Sequence, residues 1–224
     1  MKLVSKNTLL AALLAATSVG AFAADTVDLK IIGTIVPPSC TPTISGGGVA
    51  DFGRIPVASL SDTAGTLLTA RTASLTVTCD APARVGLTTL DNRAGTLGVS
   101  AKTVLLGADD QRLGVGLVGG KTVGAYNVKI LKDGIIADGN AADGIYSQNG
   151  GATWAPQIHP YGDIIQPGIR THGWANAGQT VPAAFSTITQ PIEVDLALNA
   201  KSDMPSLNQE VPIDGLATFS LVYL

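Results

Sequence analysis

The residues best suited to recognition or catalysis crowd into one stretch. Trp154, His159, Tyr161, His172 and Trp174 lie there with Asn149, Gln157, Asp163 and Asn176 between and around them. Aromatic faces beside amides can stack on sugars, so Trp154, Tyr161 and Trp174 form a candidate glycan patch. The competing use of such residues is packing inside loops. His159 and His172, with Asp163, offer metal-binding atoms, but a separation of 13 residues fits no compact ligand motif. Two imidazoles also need a third ligand and a supporting shell. Asp138, Asn140 and Asp143 have the composition of a calcium loop in the wrong register, with no Glu to close it, and read as Asp-Gly turns. The sequence holds no G-x-S-x-G elbow, no Gly-rich loop leading to Lys-Ser/Thr and no H-E-x-x-H. No catalytic residue, metal or cofactor is therefore assigned, and the chain reads as a non-enzyme.

The first 23 residues have the layout of a signal peptide: Lys2 and Lys6, an apolar run from about Leu9 to Ala16, and Ala21-Phe22-Ala23 before a cleavage point. The run is too short for a spanning helix, and no other stretch of about 18 apolar residues follows. An uncleaved N-terminal anchor is the alternative. Removal would leave 201 residues and, with Lys2 and Lys6 gone, shift the formal charge from −3 to −5. A mildly acidic chain without a basic patch excludes nucleic acid as an expected partner. Export would place Cys40 and Cys79 in an oxidising compartment, where a lone pair usually bridges. A closed loop of about 40 residues is valued at roughly 4 kcal/mol. Two free thiols or a metal pair is the alternative, and the absence of nearby His counts against the metal.

Any such residues must be carried by strands. Gly is abundant, charge is low, and Ala, Val, Thr, Leu and Ile dominate the remainder. In Thr26 to Val36, the positions Val27, Leu29, Ile31, Gly33 and Ile35 share one face at period two. Pro37-Pro38 stops that run. Val49 to Ile55 reads as extended. Ala73 to Cys79 alternates clearly, with Arg84 to Leu90 as a partner, and Lys102 to Leu106, Arg112 to Val118 and Ala125 to Leu131 follow as expected strands. From Ala137 to Gly178 the pattern breaks into Asp-Gly and Asn-Gly turn signals, which predicts long inserted loops. Alternation returns in Pro191 to Asn199 and in Gly215 to Leu224, where Ala217, Phe219, Leu221 and Tyr223 share a face. Short strands with regular turn signals predict a single all-β sandwich or barrel.

Three features carry a resemblance: Gly33 seven residues before Cys40 in an alternating apolar segment, the runs Val49-Ala50-Asp51-Phe52-Gly53-Arg54-Ile55 and Leu75-Thr76-Val77-Thr78-Cys79, and the final alternating strand with penultimate Tyr223. Their order resembles chaperone–usher pilins, and Pro38 to Thr43 through Asp51-Phe52-Gly53 is similar to fimbrial-like proteins described as probable beta-fimbrial major subunits. The match covers 24–90 and 190–224; the middle fits loosely, and Ser206 to Asp214 lacks the Gly that pilins usually carry there.

The resemblance implies an incomplete immunoglobulin-like sandwich at 37–224, completed by a donor strand at 24–36 from another copy. Val27, Leu29, Ile31 and Ile35 would be plugs, with Gly33 a point of close approach. Ala217, Phe219, Leu221 and Tyr223 would line the acceptor groove. Implied partners are a periplasmic chaperone, an outer-membrane usher and further copies or related pilins, on a route from periplasm to a cell-surface fimbrium that supports adhesion. The alternative function is a minor or tip subunit that binds a surface glycan through the aromatic loops at 150–176.

Overall fold

The structure is a computed structural model that describes residues 27–224. The signal-peptide segment at 1–23 and the first residues of the donor segment lie outside the described residues. The chain divides into two units, Met1–Val36 and Pro37–Leu224. In the first, residues 27–36 form neither strand nor helix. Their apolar side chains are bare: Val27 is 96% exposed, Leu29 88%, Ile31 88% and Ile35 100%.

The second unit is all-β among the described residues, with only short 3-10 turns beside its strands. In chain order the strands are β1 (Cys40–Ile44), β2 (Thr66–Leu67), β3 (Arg71–Ala83), β4 (Val85–Asp91), β5 (Leu113–Gly114), β6 (Leu117–Val118), β7 (Lys121–Thr122), β8 (Gly124–Ile130), β9 (Ile136–Ala137) and β10 (Asn140–Ser147). Then come β11 (Ala155–Pro156), β12 (Asp163–Ile164), β13 (Thr171–Asn176), β14 (Phe185–Leu198) and β15 (Ala217–Tyr223). One long antiparallel path runs β1-β3-β14-β9-β10-β13-β4-β15, with β8 also bonded to β14. The chain passes directly from β3 into β4, yet these strands lie far apart on the path, so the sheet wraps round. Its first and last strands come back within reach: the Cys40 N–H donates to the Tyr223 hydroxyl at 2.9 Å. No ladder joins β1 to β15, so the wrapped sheet is a barrel with one open seam.

Alternation explains the interior. Leu75 and Val77 of β3, Leu87 of β4, Val128 and Ile130 of β8, Trp174 of β13, and Ile188, Ile192 and Leu196 of β14 form one buried cluster. A second, smaller cluster sits elsewhere: Ala101 and Leu105 pack on Ala125 and Ala197, with Leu97 against them. Asn127, on the same face of β8 as Ala125, donates to the Leu106 carbonyl at 3.1 Å. The stretch 97–106 is thus a flap on the outer face of β8 and β14. This corrects the strand expected at Lys102 to Leu106, where a 3-10 turn (Ala101–Thr103) stands instead. The apolar residues there serve the flap, not a ladder.

Two further readings change. Val49 to Ile55 forms no strand, and Gly53 (φ 66°) breaks its extended course. The expected insertion at 137–178 contains two strands of the main path, β10 and β13. Asp138 (φ 47°) and Gly139 (φ 79°) make the two-residue hairpin turn between β9 and β10. Both long strands were hidden by glycine where alternation needed a side chain. At Gly144 a Cβ would lie 2.5 Å from Gln157 Oε1, and at Gly173 one would lie 2.7 Å from Trp154 Cζ3. Side chains from neighbouring segments fill those places.

Candidate functional site

The seam opens into a cleft. Its volume is about 500 Å³, and it is lined by Ile44 from β1, Ala217 and Phe219 from β15, and Val128, Ile192 and Leu196 behind them. A second cleft of about 1110 Å³ shares Val49 to Phe52 and Ile213 with the first and reaches Leu60, Leu198 and Met204. Apolar surface therefore continues past the end of β15. The walls are held by polar contacts. The Arg71 guanidinium lies 5.1 Å over the Phe52 ring, and its Nε donates to the Asp51 carbonyl at 2.8 Å. Arg93 Nη2 donates to both Asp214 carboxylate oxygens, at 2.7 and 2.9 Å, and its Nε donates to Oδ2 at 3.0 Å. An exposed Arg54–Glu210 pair links the two connections that flank the cleft. Tyr126 lines the floor. Burial raises its phenol well above the ordinary value, and its hydroxyl finds no partner among the described residues.

The four acceptor residues sit on one strand but differ in setting. Ala217, Phe219 and Leu221 are half-buried against the core. Tyr223 is 54% exposed, and its hydroxyl bridges to β1. Just beyond the two ends of the β4–β15 ladder, the Asn92 N–H donates to the Leu216 carbonyl and the Leu224 N–H to the Arg84 carbonyl, at 3.0 Å each. Antiparallel alternation then turns the backbone N–H and C=O groups of Ala217, Phe219, Leu221 and Tyr223 away from β4, toward the seam. Cys40 and Cys79 form a disulfide at directly paired positions of β1 and β3. Sequence reasoning missed most of the cleft floor, since Tyr126, Val128 and Ile192 look like any strand interior. The one available signal was alternation without a covering strand.

The aromatic residues do not assemble into a surface patch. Trp174 is 2% exposed and donates through Nε1 to Gln190 Oε1 at 3.0 Å, inside the core. Trp154 is half-buried over Gly173, its Nε1 donating to the Gly151 carbonyl. Tyr161 alone is open, at 71%. Trp174 is therefore withdrawn from the glycan patch: its position on β13 makes it core. Among the described residues, no three His, Cys, Asp or Glu side chains group as metal ligands.

His172 is likewise interior, 1% exposed and paired across from Tyr146 and Leu87. Burial, aided by the Arg170 charge, depresses its pKa to about 3. Asp163, 4.0 Å from Arg170, is shifted up by burial, against the pull of that guanidinium. The unfolded imidazole takes a proton near pH 6.5, which the folded one refuses until about 3. The unfolded state binds more protons in that window, so stability is full above about 6.5 and falls as pH drops toward 3, by on the order of 4 kcal/mol. Asp163 offsets part of this, because its folded form favours the proton. Urea midpoints between pH 7 and 4 are expected to fall steeply in the wild type and much less in His172→Leu. Parallel profiles would show that His172 does not carry the dependence.

Comparison with known proteins places the chain beside others of similar length. The family described as "Protein of unknown function (DUF1120)" matches residues 29–136, a span that holds Leu29, both cysteines and β1 to β8. The chain is 29% identical to Protein GltF of Escherichia coli (strain K12), over 98% of both chains. It is 24% identical to Uncharacterized protein YhcF of the same organism, over 92% of this chain and 94% of that one.

Proposed function

We propose that this chain is a structural subunit of a chaperone–usher fimbria, with an incomplete immunoglobulin-like pilin fold that residues 24–36 of another copy complete. The observation that carries the reading is the seam: an apolar cleft beside β15, whose outward backbone groups have no strand to pair with among the described residues. The second support is the bare segment 27–36, whose apolar face is 88 to 100% exposed at Val27, Leu29, Ile31 and Ile35. Lengths agree. At about 3.3 Å per residue, the stretch 27–35 spans about 30 Å, against about 23 Å for β15, and the second cleft takes the excess. Four buried plugs contribute about 6–12 kcal/mol before ordering costs.

In this reading a periplasmic chaperone covers the seam first, and the usher exchanges it for the next subunit's strand as the fibre reaches the cell surface. The route implies export, so the leader at 1–23 belongs to the same proposal. The role is structural and adhesive, not catalytic. A synthetic peptide of residues 26–36, added to the purified chain at about 100 times its Kd, is expected to stabilise it by about 2.7 kcal/mol. A scrambled peptide should not. An unchanged unfolding midpoint with the native peptide would remove the proposal.

A further inference from the structure

The two rims of the seam are not equivalent. On β1, the Asp80 N–H donates to the Ser39 carbonyl at 3.0 Å, and the register pairs Cys40 with Cys79 and Pro42 with Val77. Antiparallel alternation therefore turns the backbone of Cys40, Pro42 and Ile44 toward the seam. Of the three N–H groups that a ladder would need there, Cys40's is taken by the Tyr223 hydroxyl at 2.9 Å, and Pro42 has none. Only Ile44 could donate. On β15, by contrast, Ala217, Phe219 and Leu221 all present both a donor and an acceptor.

Resting on the reading of the seam as a strand acceptor, we infer that Tyr223 and Pro42 make it one-sided: an entering strand bonds along β15 through Ala217, Phe219 and Leu221, and its ladder ends at the Tyr223–Cys40 bridge. Two strand edges close together could otherwise accept an apolar strand on either side, in either register. A one-residue slip turns every plug to the wrong face. Proline and consumed donors are the ordinary means of silencing an edge. Tyr223 is here a positioning residue. It holds β1 against β15 at the disulfide end and closes that end of the cleft, leaving the Gly48 and Ala217 end open.

Backbone amide hydrogen exchange tests this on the purified full-length chain, with the peptide of residues 26–36 as probe. In the free protein the Cys40 amide should be protected, and Tyr223→Phe should speed its exchange by on the order of 10-fold or more. Peptide binding to the wild type should slow Ala217, Phe219 and Leu221 by on the order of 100-fold and leave Ile44 unchanged. In Tyr223→Phe with Pro42→Thr, which restores donors on β1, peptide-induced protection should spread to residues 40–44. Binding that protects Ile44 and leaves Phe219 and Leu221 exchanging freely overturns the inference while the acceptor reading stands. A freely exchanging Cys40 amide in the wild type overturns the bridge itself. No binding at all removes both the acceptor reading and the pairing built on it.

Discussion

A chain carrying Leu29→Asp together with Ile31→Asp is expected to fold its body normally and to form no polymer. Both side chains are 88% exposed and belong to no strand, so their replacement removes no native packing. The cost appears only on docking. Two lost plugs forfeit about 3–6 kcal/mol of burial. Two carboxylates facing Val128, Ile192 and Phe219 would add several kcal/mol of desolvation, or take up protons to avoid it. At 1.4 kcal/mol per decade, the strand's affinity falls by about 10⁴-fold or more. Size-exclusion chromatography and electron microscopy of the assembled material read the outcome. In the proposed pathway the complex with a co-expressed chaperone should persist, because the surface proposed for the chaperone is the seam and not the donor segment. Fibres of normal length from this variant would show that 27–36 is not the strand that fills the seam.

The second large effect concerns the bond that anchors β1. Cys40→Ser with Cys79→Ser opens a loop with a sequence separation of 39. The chain-entropy treatment gives a loss of about 4 kcal/mol, a large share of the 5–15 kcal/mol typical of a domain. Here the damage extends past the unfolded state. β1 is an edge strand that pairs only with β3, and its Cys40 amide is the point where Tyr223 ties the two ends of the sheet together. Loosening β1 therefore loosens one rim of the cleft. Denaturant unfolding of the double variant should show the loss, and its affinity for the 26–36 peptide should fall with it. A drop of under about 1 kcal/mol would mean that strand pairing alone holds β1 in place.

Much of this architecture could be read from residue order, and the reasons for the exceptions are specific. β3, β4 and β15 were legible because each alternates with one face on the core, but β3 and β4 are not the partners expected: β3 pairs with β1 and β14, and β4 with β13 and β15. β8 is buried on both faces, and β14 starts at Phe185, six residues before the expected Pro191. The disulfide followed from two cysteines and an inferred oxidising compartment. β10 and β13 escaped notice because their inward and outward positions are filled by other segments: Gln157 over Gly144, Trp154 over Gly173. Periodicity sees a strand's own side chains and is blind to borrowed ones. Lys102 to Leu106 misled in the opposite direction, since a few apolar residues in a row suit a flap as well as a strand.

Pro191, inside the long β14, shows how a central strand accommodates the wrong residue. β9 bonds β14 at 188–189 and β8 takes over from Ile192, so the proline stands in the gap between two partners. The Gln190 amide fills that gap, donating to the Leu131 and Pro191 carbonyls at 2.8 Å each. Its Oε1 accepts from Trp174. The sheet branches at that point, and a sequence pattern cannot show a branch. The β15 rim of the cleft was legible in its alternation. The other rim was not, because masking by Tyr223 depends on a contact across 183 residues.

The outer flap at 97–106 rests on a handful of small side chains, Ala101, Ala125 and Ala197 with Leu97 and Leu105, wholly separate from the main interior. Hydrogen bonds tie it down as well: the Gly98 N–H donates to the Gly124 carbonyl at 2.9 Å, the Ala101 N–H to Asn199 Oδ1 at 3.0 Å, and the Ala200 N–H to the Ser100 hydroxyl at 2.8 Å. Peeling it away would strip the buried Asn199 Oδ1 and the Gly124 carbonyl of these donors, so the flap opens together with the ends of β8 and β14 that it covers.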